Sequence, residues 1–185
     1  CMMQGLSIRK TAEICEIHRN TAFNWRHKIL DALQYIEDNV VLDGIVEADE
    51  TFFAISYKGN HSNGGSFTMP RKSHKRGKEI HTRGLSKEQV CVACAVNRNG
   101  KSIGKVSNLG RISTKNVEDV LGDRIDENST LVTDEMNAYV KFAKNRGINL
   151  VQIKGGKSKK GIYNVQRANS YHSSLSRFMR GFNGV

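Results

Sequence analysis

A chain of 185 residues with 38% hydrophobic side chains, 17 glycines and a single proline is long enough for one ordinary domain with a small appendage, and its composition is not that of a disordered or low-complexity protein. Its formal net charge of +11 and pI near 9.7 point to a polyanionic partner, nucleic acid ahead of an anionic membrane surface. No signal peptide and no apolar run near the roughly 18 residues of a membrane span is present, which argues against secretion and against a membrane partner.

The stretch GLSIRKTAEICEIHRNTAFNWRHKIL reads as two short helices and a turn. Ser7 is placed to cap a helix over Ile8 to Ile14, and Ala12 is the small residue where two helices would cross closely. A second helix is predicted over residues 19–30, with Ala22, Phe23, Trp25 and Ile29 on its apolar side and Arg19, Asn20, Asn24, Arg26 and Lys28 facing outward. That pattern suits a DNA-reading helix-turn-helix as well as a plain helical hairpin. Cys15-Glu16 stands where the turn would ordinarily carry Gly. Residues 31–43 read as a helical linker.

A strand follows from Ile45 to Ile55. Val46, Ala48 and Glu50 alternate on one face, with Glu47, Asp49 and Thr51 on the other. Residues 58–88 change composition: eight Lys and Arg, among them Arg71, Lys72, Lys75 and Arg76, stand against Glu79 and Glu88. This segment reads as a mobile loop or extended hairpin able to lie along phosphates. VCVACAVNRNGKSIGKVSN reads as a hairpin turning at Asn99-Gly100. Cys91 and Cys94 have metal-knuckle spacing. Three apart on a strand, however, they face opposite ways, and no second pair completes a zinc site, so they read as reduced core thiols of a cytoplasmic protein.

A helix is predicted from Thr114 to Ile125, with Val117, Val120, Leu121 and Ile125 at helical spacing. Then come a strand at Thr130 to Thr133, a helix marked by Met136, Tyr139, Val140 and Ala143, and a short strand at Asn149 to Ile153. GGKSKKG is a basic, Gly-rich loop carrying Lys157, Lys159 and Lys160, and a last helix begins near Val165. The order is that of an α/β domain with a mixed sheet. On the last helix, Ser173, Ser176 and Arg180 share the face of Asn169, with His172 at its edge. Ala168, Tyr171, Leu175, Phe178 and Met179 form the core side.

Three oxygen-bearing residues stand out: Asp49 in mid-strand on a polar face, Asp134 at a strand end, and Asn169 on the last helix. Carboxylates at the ends of neighbouring strands suit Mg²⁺, which takes oxygen ligands and keeps waters for a phosphate substrate. A helix-cap role is the competing explanation for each residue alone. Glu47, Glu50 and Glu135 read as supporting or surface groups.

IVEADETFFAI around Asp49, STLVTDEMNAY around Asp134 and above all ANSYHSSLSRFMRGFNGV around Asn169 resemble the insertion-sequence transposases of the DDE superfamily, in particular the ISXO2-like group, some of which carry Asn as the third residue. The resemblance runs from about Gly5 to Val185. It implies an RNase H-like mixed sheet with flanking helices over residues 44–185, preceded by a partial helix-turn-helix over 1–30. It also implies a bacterial, nucleoid-associated enzyme that cuts DNA at transposon ends and joins the 3′-OH to target DNA, working as a homo-oligomer on DNA. Two Mg²⁺ or Mn²⁺ ions would be held by Asp49, Asp134 and Asn169, with a ligand charge of −2 in place of −3. Relatives often carry a basic residue seven positions after this Asn; here that position is Ser176, and Arg177 or Arg180 stands in for it. The start at Cys1 and the end at GFNGV read as a fragment of a longer protein. An inactive DNA-binding remnant and a nuclease without strand transfer are the alternatives.

Overall fold

The computed structural model describes residues 1–55, 88–155 and 159–180. Its chain opens with α1 (Ile8–Ile14), capped as the sequence suggests: the Ser7 hydroxyl accepts the Lys10 N–H at 3.2 Å. The turn that follows puts Glu16 at φ 53°, in the left-handed region that Gly occupies freely. α2 (Arg19–Asp38) crosses α1 at the small residues Ala12 and Ala22, both buried. The helix expected over 19–30 runs unbroken to Asp38, leaving only Asn39 to Gly44 as the link to β1.

Two expectations about α2 are corrected. Arg26, expected to face outward toward DNA, is buried. Its guanidinium donates to the Leu6 carbonyl at 2.7 Å and to the Thr11 hydroxyl at 3.1 Å, bracing the hairpin from within. Phe23, Trp25 and Ile29, expected on the packed side, are about half exposed. The physical reason is length. α1 has seven residues and covers only one stripe of α2, the one holding Ala22 and Arg26, and every residue from His27 to Ile36 is exposed. The far end of α2 is tied to the sheet domain by Glu37, which accepts the Gly104 N–H at 2.8 Å, and by Asp38, which pairs with Lys105 and Arg124 at 3.1 and 2.7 Å.

β1 (Ile45–Ala54), β2 (Gln89–Asn97) and β3 (Ser102–Leu109) form an antiparallel meander, with Gly100 at φ 89° in the turn between the last two. α3 (Thr114–Leu121) closes on a short 3-10 turn at Gly122–Arg124, one turn earlier than the helix expected to Ile125. β4 (Thr130–Thr133), α4 (Asn137–Arg146) and β5 (Asn149–Gln152) follow. β4 lies parallel to β1 and β5 parallel to β4, so the sheet order is β3-β2-β1-β4-β5. This is the mixed five-stranded sheet of an RNase H-like α/β domain.

In place of a plain loop, Lys159–Lys160 (β6) and Tyr163–Asn164 (β7) pair as a small hairpin before α5 (Gln166–Met179). One sheet face holds the core: Val46, Ala48, Ala93, Ala95, Ile103 and Leu131 pack with Val117 and Leu121 of α3 and Tyr139 and Phe142 of α4. α5 lies on the opposite face, over β1 and β2, with Ala168 fully buried. Phe178, expected on its core side, is 45% exposed, because it falls in the last turn of the helix. Cys91 joins the main core while Cys94 sits on the α5 face, both as free thiols whose burial pushes them up to about 12, out of reach of reaction at neutral pH.

Candidate active site

The parallel pairing of β1 with β4 brings the two aspartates near one another at the C-terminal end of β4. Glu47 of β1 and Val132 of β4 are the last parallel pair; two residues on, β1 carries Asp49 and the chain just past β4 carries Asp134. Asp134 is the first residue past β4. Its carboxylate accepts the Met136 N–H at 3.1 Å in a turn that starts α4, and its carbonyl accepts from Thr133 Oγ1 at 2.8 Å and Gln152 Nε2 at 3.0 Å. This backbone wedge leaves the carboxylate exposed at the sheet end.

Asp49 is half-buried. Burial raises its carboxyl above the ordinary range, the Glu50 N–H at 2.9 Å and nearby His172 oppose the rise, and the Asp134 charge adds to it. His172 Nδ1 stands 3.8 Å from Asp49 Oδ2. Burial lowers the imidazole pKa, against the pull of Asp49, and so disfavours charge on the histidine beside the carboxylate. Its Nε2 is buried with no hydrogen-bond partner among the described residues.

Asn169 is the fourth residue of α5 and is exposed. Its N–H donates to the Val165 carbonyl at 3.1 Å, so it lies inside the helix and does not cap it. Its own carbonyl accepts the Ser173 hydroxyl at 3.0 Å. Asn169 and His172 are three residues apart, about 60° around the helix, which sets Asn169 beside the histidine that faces Asp49. Among the described residues no three His, Cys, Asp or Glu side chains gather as a ready metal cage. The candidate donor set is two carboxylates and an amide oxygen.

Two buried carboxylates flank this set, and sequence reasoning placed them only as supporting or surface groups. Glu47, 1% exposed, accepts the Arg167 N–H at 2.7 Å. Glu50, on the core face, accepts the Tyr139 hydroxyl at 3.0 Å, and burial pushes its carboxyl up to about 7. An acidic residue alternating with apolar ones within a central strand was the available signal.

The candidate DNA-contacting residues are dispersed. Arg19, Asn20, Asn24 and Lys28 are exposed on α2. Lys159 and Lys160 are exposed on β6 and, with Lys154, Glu135 and Gln152, rim a cleft of about 440 Å³ beside Asp134. Arg177 and Arg180 are exposed at the end of α5. Arg71, Lys72, Lys75, Arg76 and Lys157 lie outside the described residues, as does all of the basic segment 58–88 but Glu88. Among the described residues no helix is long and apolar enough to cross a membrane.

No curated protein matches the chain. The ISXO2-like transposase domain matches residues 41–185, a span that runs from just before β1 to the last residue and includes Asp49, Asp134 and Asn169. The chain belongs to the ISXO2-like transposase domain family.

Proposed function

We propose that the protein is a DDE-type polynucleotidyl transferase that cuts DNA at the ends of an insertion sequence and joins the freed 3′-OH to target DNA, with Asp49, Asp134 and Asn169 as the ligands of two Mg²⁺ or Mn²⁺ ions. The observation that carries this reading is that β4 runs parallel to β1 and, one residue past its end, sets Asp134 close enough for its charge to act on Asp49. The donor set fits such ions. All three candidates offer oxygen, and burial disfavours charge on the histidine next to Asp49, which limits how far it can compensate the carboxylates. When bound, paired divalent ions activate an attacking oxygen and stabilise a leaving one.

The chain's own residues would do the rest. Asp49 and Asp134 orient through the sheet, and Asn169 approaches from α5 as an uncharged oxygen donor. Water attacks a phosphodiester and releases a 3′-OH. That 3′-OH then attacks a target phosphodiester, forming one P–O bond and expelling another 3′ oxygen. Lys154, Lys159 and Lys160 offer charge to the strand lying beside Asp134, and the exposed polar residues of α2 offer a second DNA contact.

Incubating the full chain with Mn²⁺ and DNA bearing the element's own ends tests this. Nicked and then joined products are expected. Asn169→Ala should lower strand transfer by about 10- to 100-fold or more with an unchanged melting temperature, while Asn169→Asp, a carboxylate in the same place, retains metal-dependent activity. DNA binding without any product would identify an inactive remnant, and nicks that are never joined would identify a nuclease.

A further inference from the structure

Glu47 is a charged group by chemistry and a core residue by position, with 1% of its surface exposed. A carboxylate is buried at that depth only where something compensates it. Here Oε2 accepts the Arg167 N–H at 2.7 Å. Arg167 is the second residue of α5, and its N–H is one of the four that a helix cannot satisfy internally. The same N-terminus carries the positive end of the helix dipole, which favours a carboxylate. α5 has no cap of its own at that place. Its N-cap residue is Val165, which offers no acceptor, and Asn164 Oδ1 satisfies only the Gln166 N–H, at 3.0 Å. The missing cap is supplied from β1, 120 residues earlier in the chain.

The placement of this bond matters for the site. Glu47 precedes Asp49 by two residues and shares its strand face, while Arg167 precedes Asn169 by two residues on α5. A second contact, His172 against Asp49, follows Asn169 by less than one turn. Asn169 is thus bracketed by two points at which α5 is fixed to β1.

We propose that Glu47 is a positioning residue, pinning the first turn of α5 to β1 and thereby setting where Asn169 stands relative to Asp49. The assignment rests on the reading of Asn169 as a ligand.

Two isosteric changes in the full chain separate this role from others. Glu47→Gln keeps the length and an accepting oxygen. Glu47→Asp keeps the charge but is one methylene too short to reach Arg167. Two quantities are measured: amide hydrogen exchange at Arg167 without metal, and the Mg²⁺ concentration giving half-maximal nicking. In Glu47→Gln both should stay close to those of the unaltered protein. In Glu47→Asp, exchange at Arg167 should quicken and the Mg²⁺ requirement rise about 10-fold or more, with β1 and β2 amides still protected. Unchanged Arg167 exchange in Glu47→Asp would overturn the proposal. So would the reverse ranking, Asp tolerated and Gln raising the Mg²⁺ requirement, which would make Glu47 a ligand itself. Asn169→Ala is the control: it should raise the Mg²⁺ requirement and leave Arg167 exchange unchanged. If Asn169→Ala leaves the Mg²⁺ requirement unchanged, the ligand reading falls and Glu47 is reduced to a helix cap, a result distinct from the two above.

Discussion

Glu50 and Asp49 are neighbours in sequence that face opposite sides of one strand. Glu50 pays for its place in the core with a proton: burial first, then the nearby Asp49 charge, lift its carboxyl from an ordinary 4.5 to about 7, and the Tyr139 hydroxyl offsets only part of this. A raised folded-state pKa means the native form binds the proton more tightly than the unfolded chain. The resulting stability is present below pH 4.5 and is lost as pH rises through 7. The shift corresponds to about 3 kcal/mol. Glu50→Gln keeps an oxygen for Tyr139 and removes the titration. With a chelator present, it should gain about 2–3 kcal/mol over the parent at pH 8 and little at pH 4. Denaturant unfolding at the two pH values measures this, and parallel stability profiles for the two proteins would refute it. Glu16 carries a separate strain, holding φ 53° in the left-handed region. Glu16→Gly should stabilise the α1–α2 hairpin by about 0.5–1 kcal/mol, since the left-handed conformation costs an L-residue about 1–2 kcal/mol and Gly returns part of that as chain entropy. A lower melting temperature in this variant would count against the strain.

Elements were legible in the sequence where their causes are local. The Ser7 cap, the alternation of β1, the Asn99-Gly100 turn and the limits of β4 all depend on residues within a few positions of one another, and each lies where the pattern placed it. What was hidden depends on distant partners. Arg26 looks like any outward helix cation until the Leu6 carbonyl, 20 residues earlier, is brought beside it. The β6–β7 hairpin has no apolar alternation to announce it, being built of Lys, Tyr and Asn. The candidate site divides the same way: the Asp49 and Asp134 strand positions were readable, whereas the Glu47 cap on α5 spans most of the chain. The seating of α5 itself turns on Gly104. A Cβ there would run into the Tyr171 hydroxyl, with ring carbons at 2.9 Å. Gly104→Ala should therefore push the Tyr171 ring, and α5 with it, away from the sheet and cost about 1–3 kcal/mol, with a matching loss of metal-dependent nicking. A melting temperature equal to that of the parent would show that the ring swings aside freely.

At the scale of the whole molecule, the sheet order places charge where the candidate chemistry is. β4 ends just before Asp134, α4 carries the chain back, and β5 returns parallel to β4 to deliver Lys154 and then the β6 lysines to the same end of the sheet. Lys154, Lys159 and Lys160 are exposed, and no ion pair within the described residues engages them. With a net charge of +11, the protein would bind DNA through many phosphates, and the slope of log affinity against log salt counts them. Changing all three lysines to Gln should reduce that slope by about 2.7, roughly 0.9 for each phosphate that is no longer neutralised. The melting temperature should not move, and the weakening should be alike for DNA with and without the element's ends, because phosphate contacts carry no sequence information. Titrations at several salt concentrations with both DNAs measure it. A slope that does not change would leave these lysines as solvated surface charge and place the DNA path elsewhere on the molecule.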